Sequence, residues 1–521
     1  MTRTTEPAFN LLDEPWIPVR MLHGETLDIS LSQALLEADR FSALAETSPP
    51  NLIALYRLLL TILHRALSSH HGAWTDAVRA RWYREGLPEA PICAYLNEWR
   101  ERFWLFHPEH PFMQVAALAD VPEIRDKQKP WTQICLECAN GNTPLVFDHA
   151  LDDLPAEIMP SLACRHLLGA LQFTPGGLVK VVRDSDKAGP LANTAAVMPI
   201  GKTLTSTLLS GLHPYRARGQ DDRPSWEQSR PNIESLKAPP RLVTGPNDRY
   251  TRLTRAVLLA RAGADRGIRH ILFAAGLALE EDAHAPDPMA CYRFNKDGKA
   301  IRVSFTEGRA LWRELPALVP DATGKFNQPA TILSGAANLF EQMGKFDEPI
   351  PVLIAGLASD QAKLLRWRIE RFDLPLTVLA NPEAAADLRA RVRQAEDTYF
   401  RLRAICVEMV TDTMPDPSHK DTKARARSIL DNGPTAPVFF STTERGLPVL
   451  IQRIAAGDSD GAHQHWLEQL QAATRRAWTA TCRALGETPR ALRAMARADP
   501  GLHRLVRSLD PSAITSEETI P

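Results

Sequence analysis

From about residue 380 to 510 apolar side chains recur at steps of three and four, at Leu388, Val392, Ala395, Tyr399, Leu402, Ile405 and Met409, the period of helices that bury one face. Before about residue 375 the texture differs: short strands, short helices and many prolines, with apolar runs too brief for regular βαβ units. The two textures exclude a single regular architecture, and 521 residues exceed the ~250–300 at which one hydrophobic core stops growing. The expectation is an α+β fold in two domains. Residues 1–375 form a large mixed domain with β-hairpins, and residues 376–521 form an antiparallel four-helix bundle. Asn381 before Pro382 and Glu383 starts the first helix of the bundle, a second covers residues 443–455, a third ends at Gly486 and a fourth follows Thr488. Asp499-Pro500-Gly501 should interrupt the fourth, because proline removes a backbone donor and clashes with the preceding turn.

Lys plus Arg number 61 against 62 Asp plus Glu, so no global field draws the molecule onto nucleic acid, and any such contact must be a local patch. The cysteines are odd in number, scattered and set among apolar neighbours, which predicts reduced thiols and a cytoplasmic chain. The start lacks the basic and apolar segments of a signal peptide. The most apolar stretch, residues 52–67, carries Arg57, His64 and Arg65 and is shorter than the ~20 residues of a membrane span, so it reads as a buried helix with no membrane partner.

Catalytic signatures are sparse. His107-Pro108-Glu109-His110 invites a metal, but Pro108 opposes a helical two-histidine face and no third ligand follows at a suitable spacing. Cys135-Leu136-Glu137-Cys138 has no matching pair downstream, so two ordinary buried thiols are the better reading than zinc. No phosphate-loop, dinucleotide, serine-hydrolase or zinc-protease motif occurs. Neither a metal, a cofactor nor a catalytic residue is expected.

Three segments suit nucleic acid, each with a plainer reading beside it. Val352 to Gly356 is apolar, Ala358-Ser359-Asp360-Gln361 is a polar corner, and beyond it Leu365, Trp367 and Ile369 alternate with Arg366, Arg368 and Glu370. That pattern is a hairpin with a short polar tip, either a wedge whose Arg366 and Arg368 meet phosphates or an ordinary solvated hairpin. Gly176-Gly177 precedes a strand-like run, residues 178–183, and is either a close approach of backbone to another surface or a plain turn. Arg483, Arg490, Arg497 and Arg504 are spaced by seven, forming a phosphate-tracking stripe, with Arg490 and Arg497 at its centre, or a solvated basic face. A second hairpin is legible where Tyr292 and Phe294 lead through Asp297-Gly298 to Ile301 and Val303.

The run Phe9-Asn10-Leu11-Leu12-Asp13-Glu14-Pro15-Trp16-Ile17-Pro18-Val19-Arg20 resembles the opening of the CasA-type large subunits of type I-E CRISPR surveillance complexes (Cascade), and residues 107–114 resemble a second segment of that family. The resemblance implies a non-catalytic subunit that reads the protospacer-adjacent motif from the DNA minor groove, starts unwinding and recruits the helicase-nuclease. It assigns a glutamine wedge to Gln361, with Asp360, Ser359 and Ala362 at the same tip, and a glycine loop to Gly176 and Gly177. The family's groove-reading lysine falls where this sequence has none, and Arg269 is the residue there able to substitute. Asp360 stands where asparagine is frequent, which implies an altered motif preference. The loop containing Leu145, Val146 and Phe147 corresponds to one that approaches the guide RNA handle and neighbouring subunits. Here its acidic residues favour docking on protein. The implied partners are guide RNA with the other Cascade subunits, double-stranded DNA target, the helicase-nuclease effector and the small-subunit dimer. Two other readings remain open from the residues alone: a metal-dependent hydrolase or nuclease built on His107 and His110, and a purely structural scaffold.

Overall fold

The computed structural model describes residues 6–71, 74–138, 154–177, 181–183, 186–212, 222–261, 267–281, 286–360 and 363–510. The chain is α+β and divides into two compact units: Met1–Glu307 with Phe326–Asp373, and Gly308–Lys325 with Leu374–Pro521.

The first unit is built around the helix Pro49–His71, which packs on the helices Pro160–Phe173, Glu89–Glu98 and Pro246–Thr251. It extends beyond residues 52–67 at both ends, since prolines at its start need no backbone donor. Its segment Pro49–Ser69 is long and apolar enough to cross a membrane, yet 83% of that window is buried inside the protein. Arg57 lies within it, fully buried, and is compensated by an ion pair with Asp287, a 2.8 Å bond to Gln172 and the ring of Tyr250 at 4.4 Å.

Small antiparallel sheets surround these helices. Ile17–Met21, carrying part of the N-terminal run, is the middle strand between Thr26–Ile29 and Phe41–Leu44. Arg255–Arg261 pairs with Ile268–Ala275. The hairpin Tyr292–Phe294 with Ala300–Arg302 turns as expected at Gly298, whose φ is +74°. A further sheet places Pro349–Asp360 between Lys363–Pro375 and Ala196–Pro199.

The second unit is helical. Asn381 caps the helix Pro382–Asp412 by accepting the Glu383 N–H at 2.8 Å, and Ser459–Leu485 ends at Gly486 with φ +76°. The expected helix over 443–455 is two, Thr435–Glu444 and Leu447–Ala455, because Gly446 and Pro448 break one and start the next. Both pack on Ser459–Leu485. Lys420–Asp431 is a further helix. Gly308–Lys325 belongs here because Trp312 is buried among Phe440 and Trp466, both 6.2 Å away, and Arg313 pairs with Glu396 at 2.5 Å.

Pro500 does not interrupt the last helix, which runs unbroken over Pro489–Arg507. An interior proline costs about 3 kcal/mol. Burying Leu502, Leu505 and Val506 returns ~1.5–3 kcal/mol each, so packing decides against local preference.

Candidate nucleic-acid interface

The polar-tipped hairpin is present. Its strands are Pro349–Asp360 and Lys363–Pro375, and the two residues joining them, Gln361 and Ala362, lie outside the described residues, as do Leu145, Val146 and Phe147. Ser359 and Asp360 close the first strand. That strand is anchored in the core, because Val352 to Ala355 pair with Ala196–Pro199 and Leu357 and Ala358 are buried. Gly356 is required there: a side chain would overlap the Thr194 carbonyl at 2.4 Å.

The returning strand alternates less cleanly than its sequence suggests. Ile369 is 38% exposed, whereas Arg368 lies over the Phe305 ring at 4.8 Å and pairs with Glu370. Arg366 is exposed and held by Glu307. Trp367 fixes the arm. Its Nε1–H donates to the Leu136 carbonyl at 2.9 Å, and its ring meets Phe173 edge-on at 5.4 Å.

Phe173 ends the helix Pro160–Phe173, and Gly176 and Gly177 follow directly. The Gly177 N–H and carbonyl both pair with the backbone of Asp186, closing a loop. Residues 181–183 form a bend with Val182 at φ +78°, so the extended run expected after the glycines is broken there, and residues 178–180 lie outside the described residues. The chain returns across the helix end through Gly189, whose missing side chain would overlap the Gln172 carbonyl at 2.5 Å. Gly176 and Gly177 differ from each other. A side chain on Gly176 would press on the Ala188 nitrogen at 3.2 Å, whereas one on Gly177 would meet no described residue within 4 Å, and neither residue has a positive φ. The described residues therefore account for glycine at 176 and not at 177.

Behind this loop lies a buried ion pair that the sequence does not announce. Arg255, 1% exposed, pairs with the buried carboxylate of Asp186 at 2.9 Å and donates to the carbonyls of Pro175 and Lys187, both at 2.7 Å. One guanidinium thus holds both ends of the glycine loop. Burial pushes Asp186 up to about 6, opposed by Arg255, and burial also lowers Arg255 itself. The available signal was an arginine at the head of an apolar strand, which needs a buried partner. Arg183, also overlooked, ties the far side of the loop to the Leu236 carbonyl at 2.5 Å and to that of Ala238.

The reading of the two cysteines is corrected. Cys135 and Cys138 form a disulfide rather than two thiols, because three residues of turn bring their Cα atoms to 5.4 Å. Trp367 therefore docks on a cross-linked turn. His107 Nδ1 accepts the backbone N–H groups of Glu109 and His110 at 3.1 and 2.9 Å, and His110 Nδ1 faces the guanidinium of Arg102. Burial, and for His110 also Arg102, lowers both imidazoles. These rings shape a turn, and among the described residues no group of three His, Cys, Asp or Glu is placed to hold a metal.

Arg269, 44% exposed at its side chain, pairs with Glu157 at 3.3 Å. Arg490 and Arg497 belong to the helical unit, where Arg490 donates to the carbonyls of Asp412 and Met414 and Arg497 lies 3.8 Å from the Asp412 carboxylate. Arg483 stands on the preceding helix, so the stripe spaced by seven is split between two elements.

The chain belongs to a CRISPR-associated family, that of CRISPR-associated protein Cse1, whose model matches residues 10–477. It is 33% identical over 511 residues to CRISPR-associated protein CasA/Cse1 of Thermus thermophilus, covering 96% of this chain and 98% of that one. The solved structure of Thermus thermophilus CasA (Cse1) superposes with a TM-score of 0.83 at 32% identity, covering 96% of this chain and 100% of that chain. A chain of a solved CRISPR RNA-guided surveillance complex shares the fold, with a TM-score of 0.73 at 21% identity over 96% of this chain and 100% of its own length. The family suggested by the N-terminal run is therefore the family found.

Proposed function

We propose that the chain is the non-catalytic large subunit of a type I-E Cascade, acting in the cytoplasm. It reads the motif flanking a DNA target from the minor groove and opens the first base pairs. Gly176 and Gly177 face the groove, where the donor and acceptor pattern is degenerate, so several related motifs are accepted. The tip Ser359, Asp360, Gln361 and Ala362 enters the duplex as a wedge. Unstacking costs a few kcal/mol, offset by backbone contacts and by the first guide-target pairs. Arg366, Arg368, Arg490 and Arg497 supply phosphate contacts by exchanging their present partners, and Arg269 takes the place of a groove-reading lysine. The loop with Leu145, Val146 and Phe147 docks toward the guide RNA handle and adjacent subunits. The helical unit meets the small-subunit dimer, and the subunit recruits the helicase-nuclease.

The observation that carries this reading is the packing of Trp367 on Phe173, which ties the wedge arm to the root of the glycine loop. Glycine at 177, which no described residue requires, fits the close approach of a second surface. Duplex capture and unwinding by the reconstituted complex test it. Gln361→Ala with Gly177→Asp should abolish unwinding, and normal unwinding by that variant refutes the role. A hydrolase using His107 and His110 finds no support in rings already engaged by backbone and arginine.

A further inference from the structure

A cleft of about 120 Å³ in the first unit is lined by Arg183, Arg230, Arg241 and Arg252, with Ser229 and Ser235 beside them. Among the described residues lining it there is no Asp or Glu. Among the described residues, Arg252 holds Asp248 at 2.9 Å and Arg230 is a loose 3.7 Å from Glu109. Arg183 donates to backbone carbonyls and is near enough to Asp186 to favour its charged form. Four guanidiniums lining one cleft, with no carboxylate among its described lining residues, make it electropositive and favour an anion there.

We infer that this cleft is a phosphate-binding site. A tetrahedral oxyanion offers acceptors in several directions to N–H groups converging on it, and arginine forks match its geometry. The phosphate can come from a nucleic-acid backbone or be free in solution. The site is separate from the wedge and stands without it. Its position points to the backbone, because Arg183 lies on the loop between the paired residues Gly177 and Asp186.

The test uses the full-length chain and the exposed arginines, whose replacement leaves the core intact. Duplex binding is followed by fluorescence anisotropy at several salt concentrations, and inorganic phosphate binding by calorimetry, for Arg241→Ala, Arg230→Ala, Arg241→Lys and a control, Arg84→Ala, on the exposed face of the helix Asp76–Glu85. For a backbone site, Arg241→Ala and Arg230→Ala weaken duplex binding on the order of tenfold. The weakening is equal for every flanking sequence, the salt slope falls by about 0.9 for each phosphate no longer neutralised, and Arg241→Lys is intermediate. Saturable phosphate binding that disappears in Arg241→Ala while duplex binding is untouched assigns the site to free phosphate. If both measurements are unchanged, or if Arg84→Ala is as impaired as Arg241→Ala, the site does not exist. Uniform weakening with unwinding intact in the assembled complex separates this site from the wedge, whose variant abolishes unwinding.

Discussion

Single buried residues set the conditions under which the glycine loop and the helix before it keep their shape. His166, 7% exposed on the helix leading to the glycine loop, stacks on Trp131 and faces Asn51 at 3.3 Å. Burial, with Arg165 adding to it, lowers its pKa from 6.5 to about 4. The unfolded chain therefore binds the proton more readily than the folded one. The stability from neutral His166 is complete above about pH 6.5 and is lost as pH falls towards 4, on the order of 3 kcal/mol. Denaturant unfolding near pH 7.5 and near pH 5 should show wild type losing more stability on acidification than His166→Gln, and equal losses would remove the cause. Asp186, raised to about 6, works in the opposite sense, so the comparison between variants is the informative one. Arg255→Met leaves Asp186 buried without a counter-charge and should cost ~3–5 kcal/mol in denaturant unfolding. Asp186→Asn in the same chain should restore part of that, whereas simple additivity would show that the pair is uncoupled. The sequence hints only that Arg255, at the head of an apolar strand, needs a buried partner; that the partner is Asp186 was not legible, because the two lie far apart in the chain and share no local pattern. The spacing of Cys135 and Cys138 likewise fits thiols, zinc or the disulfide that forms.

At the scale of elements, local patterns were legible where one element buries one face. The long helix Pro382–Asp412, the turn at Gly298 and the hairpin around the polar tip all follow from period and turn residues. What escaped was decided by tertiary packing: Pro500 inside a continuous helix, the break at Gly446, and Ile369 turned outward while Arg368 covers Phe305. Trp367 fixes the returning arm of the hairpin, whose first strand is anchored by pairing with Ala196–Pro199. Trp367→Phe keeps a ring against Phe173 but removes the donor to Leu136, and should cost about 1 kcal/mol of stability. Trp367→Ala also removes the ring packing, and in the assembled complex it should slow unwinding more than it weakens duplex capture. An equal effect on both would mean that Trp367 supports the fold and does not aim the wedge.

For the whole molecule, a formal charge of −1 means that the DNA binding proposed above must come from local features: the glycine loop, the hairpin and the arginine cleft within the first unit. The N-terminal run was the most specific signal in the sequence, and its family is the one the whole chain belongs to. The role proposed for the tip, by contrast, rests on resemblance, since the residues by themselves favour an ordinary solvated hairpin. The most direct measurement replaces Gln361 with a photo-crosslinking amino acid in the assembled complex bound to target duplex. The account predicts crosslinks to bases at the first pairs beside the flanking motif, lost when Gly177→Asp is added. Crosslinks confined to protein, or DNA crosslinks that persist unchanged with Gly177→Asp, would contradict it.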